Sequence, residues 1–357
     1  MDSGLENVIA AETMLSDVKG DMGELIIKGR YVEKLAATMA YEDMAHLLWH
    51  SAFEALPTPQ ELGRRLGQAR QEAFEQLADR APDTTIIQSL RLGWAAEQDD
   101  ESLETAIHLA AGGFVFTAAA VRLAKGLAPI APDPSLSSSA DFLRMVSGRT
   151  PDSKQARALD AYLVTVSDHG LNASTFAARV VSSTRAGLTS AVIGGLSALK
   201  GPLHGGAPGP VLDMFDEIGE VENAEVWIDM ALARGDRLMG FGHRVYRARD
   251  PRADALKNAA GRLPGTAGRL AFAEHIEREV LGKLRLKYPN RPLETNVEFY
   301  TAVLLEALEI PREAFTAVFA CGLVLGWIAH AREQISEGRI VRPKSIYRGP
   351  VPELAEA

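Results

Sequence analysis

Apolar residues along this chain recur at three- and four-residue spacing, and alternating strand patterns are almost absent. That periodicity predicts a mainly α protein. Tyr41 to Ala55 reads as a helix, and the LPTPQEL that follows stops it and starts the next, with Thr and Pro as the start signals. Glu104 to Leu123, Ser153 to Val166 and Ser174 to Leu199 continue the pattern. The one strand signal is a short hairpin near Gly23 to Tyr31. Glycine and proline then cluster at Gly201 to Pro210 (GPLHGGAPGP) and interrupt the helices. The layout fits a large helical domain made of residues 1–205 and 312–357, with a smaller helical domain, residues 206–311, inserted between its parts; 357 residues suffice for two domains.

Composition narrows the function. The formal net charge is −9, a poor match for nucleic acid or an anionic membrane surface, so neither is an expected partner. A single cysteine, Cys321, excludes disulfides within the chain and reads as a buried small hydrophobe. The start, MDSGLENV, has neither a basic nor an apolar stretch of an export signal, and a cytoplasmic location is expected. The apolar run from Ala314 to Ala329 falls short of the roughly 18 to 20 residues a spanning helix needs and reads as a core or interface helix. Ala186 to Lys200 is crowded with small residues that let helix backbones approach, within a bundle or across a dimer interface, with packing inside one chain the safer expectation.

Four histidines stand among small residues: His169 in SDHGLNAST, His204 in GPLHGGAP, His243 in GFGHRVYRARDPRA and His330 in AHAREQ. Glycine neighbours leave His204 and His243 little local packing and open the backbone to a ligand, which favours a site. His330, in an apolar helix, reads as a core residue. His46 and His50 have the four-residue spacing of a helical metal pair, but no third ligand stands at useful spacing, and no metal site is expected. Arg244, Arg247, Arg249 and Arg252 crowd the segment after His243. They read as a solvated helix face or as an anion site; an acidic chain that handles anions needs such a cluster, and the guanidinium fork suits carboxylate and phosphate.

GPLHGGA, GFGHRVY followed by DPRA, NVEFY and a terminal RPKS stand in this order along the chain, with GLENVIAAETMLSDVKGDMGELIIKGRYVEKLA at the start and DHGLNAST between. In these motifs and their separations the chain resembles citrate synthase over nearly its whole length. The resemblance implies a mainly α fold, a large helical domain with a smaller one inserted, assembled as a homodimer. It implies an acyltransferase that condenses acetyl-CoA with oxaloacetate to citrate and CoA. His204 would hydrogen-bond the thioester oxygen, His243 would polarise the 2-oxo carbonyl, and Glu298 would be the base. His169, Arg252 and Arg342 would hold carboxylates, Arg342 from the partner subunit, with Phe319 lining the substrate site. Arg247, Leu238, Gly240 and Gly242 would lie against CoA. No metal or redox cofactor is implied; acetyl-CoA is a substrate.

The chain departs from the family at two of these positions. NVEFY carries Glu298 where the family has aspartate, which moves the carboxylate outward by about 1.5 Å. Thr295 to Glu298 also fits a capping box, in which the glutamate bonds back to the helix start, so base and cap are both open readings. In FACGLVLGW, Leu323 stands where the family places an arginine that binds an oxaloacetate carboxylate. Loss of one charge-assisted bond costs roughly 1.5 to 3 kcal/mol. Pro208 replaces the usual asparagine, with smaller consequence. Leu323 and Glu298 keep a rival alive: methylcitrate formation, or condensation of another short acyl-CoA or 2-oxo acid. A rival of another class is a non-catalytic CoA-binding or regulatory homologue; retention of His204, His243 and Arg252 speaks against it.

Overall fold

The computed structural model describes residues 4–5, 8–79, 84–202, 204–205, 208–243, 246 and 248–350. It opens with a three-stranded antiparallel sheet, β1 (Ser16–Lys19), β2 (Glu24–Ile27) and β3 (Arg30–Tyr31), in which Ser16 pairs with Ile27 and Ile27 with Arg30. The hairpin read near Gly23 is β2–β3, turning through Lys28 and Gly29. β1 was not legible, because SDVK offers only one apolar side chain to an alternating pattern.

Fifteen α-helices follow among the described residues. The first nine are α1 (Val32–Thr38), α2 (Tyr41–Trp49), α3 (Pro59–Glu75), α4 (Ile86–Ala95), α5 (Leu103–Ala124), α6 (Ser138–Ser147), α7 (Ser153–Val166), α8 (Ala173–Ser182) and α9 (Leu188–Leu199). Then come α10 (Pro208–Ile218), α11 (Ala224–Arg234), α12 (Pro251–Ala260), α13 (Ala267–Lys287), α14 (Val297–Ala307) and α15 (Phe315–Glu337). Their starts follow ordinary capping chemistry. Thr58 accepts the Glu61 amide ahead of Pro59, and Asp152 with Gln155 closes a capping box on α7.

Two expected helices end differently. The Tyr41 helix stops at Trp49, whose carbonyl takes both the Ala52 and Phe53 amides and turns the chain. The stretch Ser174 to Leu199 is two helices, not one. The chain reverses at Arg185 and Gly187, with φ of 62° and 100°, and Asp99 then accepts the Ser190 amide at 3.1 Å to start α9.

α15 is the centre of the core. It packs against α2, α4, α5, α7, α8 and α9. α5 and the helical stretch Arg312–Ser336 are long and apolar enough to cross a membrane on length and composition, so the Ala314–Ala329 run belongs to a longer apolar helix than the sequence reading allowed. The buried shares of their apolar windows, 83% and 94%, are what core helices show. The small residues of α9 serve packing within the chain: a Cβ at Gly195 would meet the Trp327 ring at 2.8 Å. A second group forms around α14, with α10 and α12 against it and α11 against α13, while α12 also rests on α1 and α7.

Candidate active site

The site lies where the end of α7, the start of α8, α15 and the α12–α14 group come together. α7 ends at Val166 and the chain turns through Asp168, His169 and Gly170. Asn172 caps α8 by accepting the Ser174 and Thr175 amides. Its Nδ2 donates to His169 Nδ1 at 2.7 Å, which leaves the proton of the neutral ring on Nε2. Below the turn, His330 donates to Asp168 at 3.2 Å and accepts from Arg179, so His330 is the satisfied core residue expected.

The His169 ring stacks on His204 at 6.3 Å and meets the half-buried Phe319 edge-on at 6.2 Å. His204 sits in the turn after α9, with Nε2 2.9 Å from Ser174 Oγ, a hydroxyl that also accepts from Trp327 Nε1. The GPLHGGAP segment therefore brings its histidine to the site, while Gly206 and Ala207 lie outside the described residues.

His243 is positioned by glycines for a steric reason. Gly240 and Gly242 have φ of 84° and 80°, and a Cβ would come within 2.8 Å of Phe299 and 2.9 Å of Leu293. This loop runs beside the start of α14. Asn296 donates through its amide to the Gly240 carbonyl and through Nδ2 to the Gly242 carbonyl, both at 2.9 Å, while its Oδ1 caps Glu298. Leu238, Gly240 and Phe241 are buried in this loop, while Met239 and Gly242 are partly exposed. The Tyr246 amide donates to His243 Nδ1 at 3.0 Å, again leaving the ring proton on Nε2.

Of the four arginines, Arg252 is fully buried at the start of α12. Asp250 grips it with bonds of 2.9 and 2.8 Å and also accepts the Val297 amide of α14 at 3.1 Å. Its Nη1 is buried without a partner. Arg249 is not part of an anion site; it is neutralised by Asp254 at 2.7 Å and Glu277 at 2.6 Å. Arg244 and Arg247, the latter an expected CoA contact, lie outside the described residues.

Glu298 is not a cap. The helix is capped by Asn296 rather than Thr295, whose hydroxyl donates to Glu277, and Glu298 Oε2 is buried with no partner. Burial raises its carboxyl to about 7, against the opposing pull of Arg237 and Arg252. Burial, with Arg252 adding to it, lowers His243 to about 4 and holds His169 well below the usual range; burial alone lowers His204. At neutral pH the site thus favours uncharged imidazoles, a carboxyl that keeps its proton to higher pH than an exposed one, and a charged guanidinium held by Asp250.

Arg342 is exposed in the extended tail after α15. Leu323 is 1% exposed, one turn beyond Phe319 on α15. Cys321 is buried beside Thr117, and burial pushes its thiol up to about 12. The His46 and His50 rings lie 5.9 Å apart, and no group of three or more potential ligands among the described residues is placed to hold a metal.

A buried carboxyl with a raised pKa, neutral imidazoles and an anchored guanidinium form a site equipped for acid–base chemistry and for holding an anion. Comparison with known proteins gives the family. The family model described as citrate synthase, C-terminal domain, matches residues 4–344. A putative citrate synthase 2 of Mycobacterium tuberculosis is 38% identical over 99% of this chain and 94% of its own length. The crystal structure of citrate synthase from Thermotoga maritima superposes with a TM-score of 0.86 at 34% identity, covering 100% of this chain and 98% of that one. Citrate synthase from the archaeon Thermoplasma acidophilum, solved as a ternary complex with carboxymethyl coenzyme A and oxaloacetate, superposes at 0.87 with 25% identity, covering 100% and 98%. The chain belongs to the citrate synthase family, and it is an enzyme of the acyltransferase type.

Proposed function

We propose that the protein condenses acetyl-CoA with oxaloacetate, releasing citrate and CoA. The observation that carries the reading is Glu298, a buried carboxyl raised to about 7 at the head of α14, whose cap Asn296 also holds the loop that carries the neutral His243. A thioester α-proton is too weakly acidic for a carboxylate unless the developing enolate oxygen receives a hydrogen bond from a preorganised donor. Glu298 removes the methyl proton while His204 donates to the thioester oxygen. The enol carbon then attacks the 2-oxo carbonyl, polarised by His243, with His169 and Arg252 holding a carboxylate. Water cleaves the resulting thioester, and citrate and CoA leave. The CoA moiety lies along Leu238 to Gly242 and Arg247. The steps draw on side chains and the two substrates, with no metal or redox cofactor. The Thermoplasma complex supports this substrate pair.

Helices α10 to α14 form the smaller domain in this reading, and its closure excludes water. The enzyme works as a homodimer, with Arg342 completing the partner's site. Exposed apolar side chains at both ends of the described chain, Ile9 at 89% and Tyr347 at 70%, support a second copy as their cover. A cytoplasmic location is consistent with one free, buried cysteine.

A second reading is favoured by Leu323: a different short acyl-CoA or 2-oxo acid, methylcitrate formation among them. Free-CoA release from the purified protein, over a matrix of acyl-CoAs and 2-oxo acids, separates the two. Acetyl-CoA with oxaloacetate is expected to have the highest kcat/KM. A different pair ahead by more than about tenfold overturns the citrate assignment.

A further inference from the structure

Two donors in the site are buried without partners, and they belong to the same short segment. One is Arg252 Nη1; the other is the hydroxyl of Tyr246, a residue 3% exposed. The Arg252 guanidinium lies 5.5 Å from the Tyr246 ring centroid, and the His243 ring 4.8 Å from it. A buried hydroxyl without a hydrogen bond costs free energy, and phenylalanine would fill the same space without that cost. Packing therefore accounts for the ring and leaves the oxygen unexplained. Burial also holds the phenol above its usual range, so it stays a donor at any working pH.

We propose that Tyr246 is a substrate-binding residue, its hydroxyl donating a hydrogen bond to the carboxylate of the 2-oxo acid that Arg252 holds. This rests on the condensation reading above. A carboxylate offers about four lone-pair sites, enough for the guanidinium and the phenol together. The free protein leaves both donors unpaired, and the acceptor satisfies them at once. Tyr246 thus exchanges stability of the empty site for affinity.

Tyr246→Phe tests it. The variant is expected to raise KM for the acceptor about tenfold or more, as loss of a hydrogen bond to a charged group does. KM for the acyl-CoA and the acid limb of the pH profile are expected to stay unchanged. The acceptor-free variant melts no lower than wild type, and the melting rise on adding acceptor shrinks. An unchanged acceptor KM overturns the proposal, whatever the melting temperature does. A shifted acid limb with unchanged acceptor KM assigns the hydroxyl to Glu298 instead. Failure of the citrate reading shows separately, in wild type: if oxaloacetate is inert, the same measurements are made with the 2-oxo acid the enzyme does use.

Discussion

In the proposed reaction, burial of Glu298 sets the pH at which the site works. The carboxylate is the reactive form, so kcat/KM is expected to rise through an acid limb near pH 7 and level off above it. His243, lowered to about 4, is neutral across that range and adds no second limb. The same shift has a stability consequence. The folded value of Glu298 lies above the unfolded 4.5, so the group costs nothing below about pH 4.5, lowers stability progressively between about pH 4.5 and 7, and exerts its full penalty above that. Glu298→Gln should abolish the acid limb and nearly all turnover, yet raise stability at pH 8 by on the order of 3 kcal/mol, read from denaturant unfolding. A variant less stable than wild type at pH 8 would refute the buried-carboxylate account. Leu323 makes an independent test. An arginine there, at a site 1% exposed, would be an unpaired buried charge in the free protein. Leu323→Arg is expected to melt lower when empty and to lower KM for oxaloacetate by about tenfold, the dianion supplying the missing partner. If KM rises instead, another group already occupies that role. His204 and His243 were legible in the sequence because glycines bracket them. Asn172, Asp250 and Asn296 were overlooked, although each is an Asx residue at a helix start. A cap signal alone does not say that the same side chain also grips His169, Arg252 or the His243 loop.

The loop from Leu238 to His243 and the start of α14 act as one unit, because Asn296 bonds to both. Rigidity there comes from close backbone approach rather than from side-chain bulk. Gly240→Ala would place a Cβ 2.8 Å from Phe299 at a φ of 84°. It is expected to cost about 1 to 3 kcal/mol of stability and to lower kcat more than KM, because His243 and Glu298 shift together. Equal loss in an Ala substitution at Gly268, which has open space around it, would show that glycine content and not close approach matters. Elements with strong periodicity and ordinary caps were legible almost to the residue, as α5 and α7 show. The break between α8 and α9 was not. TSAVIGG continues the helical pattern, and what ends it is a tertiary partner: Asp99, from a loop far away in sequence, holds the start of α9.

Taken as one chain, the protein lacks part of its proposed acceptor site, since Arg342 lies exposed in the tail. Mixing Arg342→Ala with His204→Ala chains should restore activity, because in a heterodimer one site receives neither defect; each variant alone should be about a hundredfold down or more. An active monomer in sedimentation would rule this out. Subunit exchange of this kind is invisible to periodicity, which reports faces within a chain and not the chain they meet. The placement of α15 has a further consequence, for biosynthesis. The helix that touches α2, α5, α7, α8 and α9 is translated after almost all of its neighbours. Those helices can pack on one another as they emerge from the ribosome, but the faces that α15 covers stay open until it is made. The cavity that α15 fills therefore stays open over some three hundred residues of synthesis and closes only around this last long helix. Such late, non-local closure makes folding slow and makes the unfinished chain a substrate for chaperones, even though nearly every secondary-structure element is local.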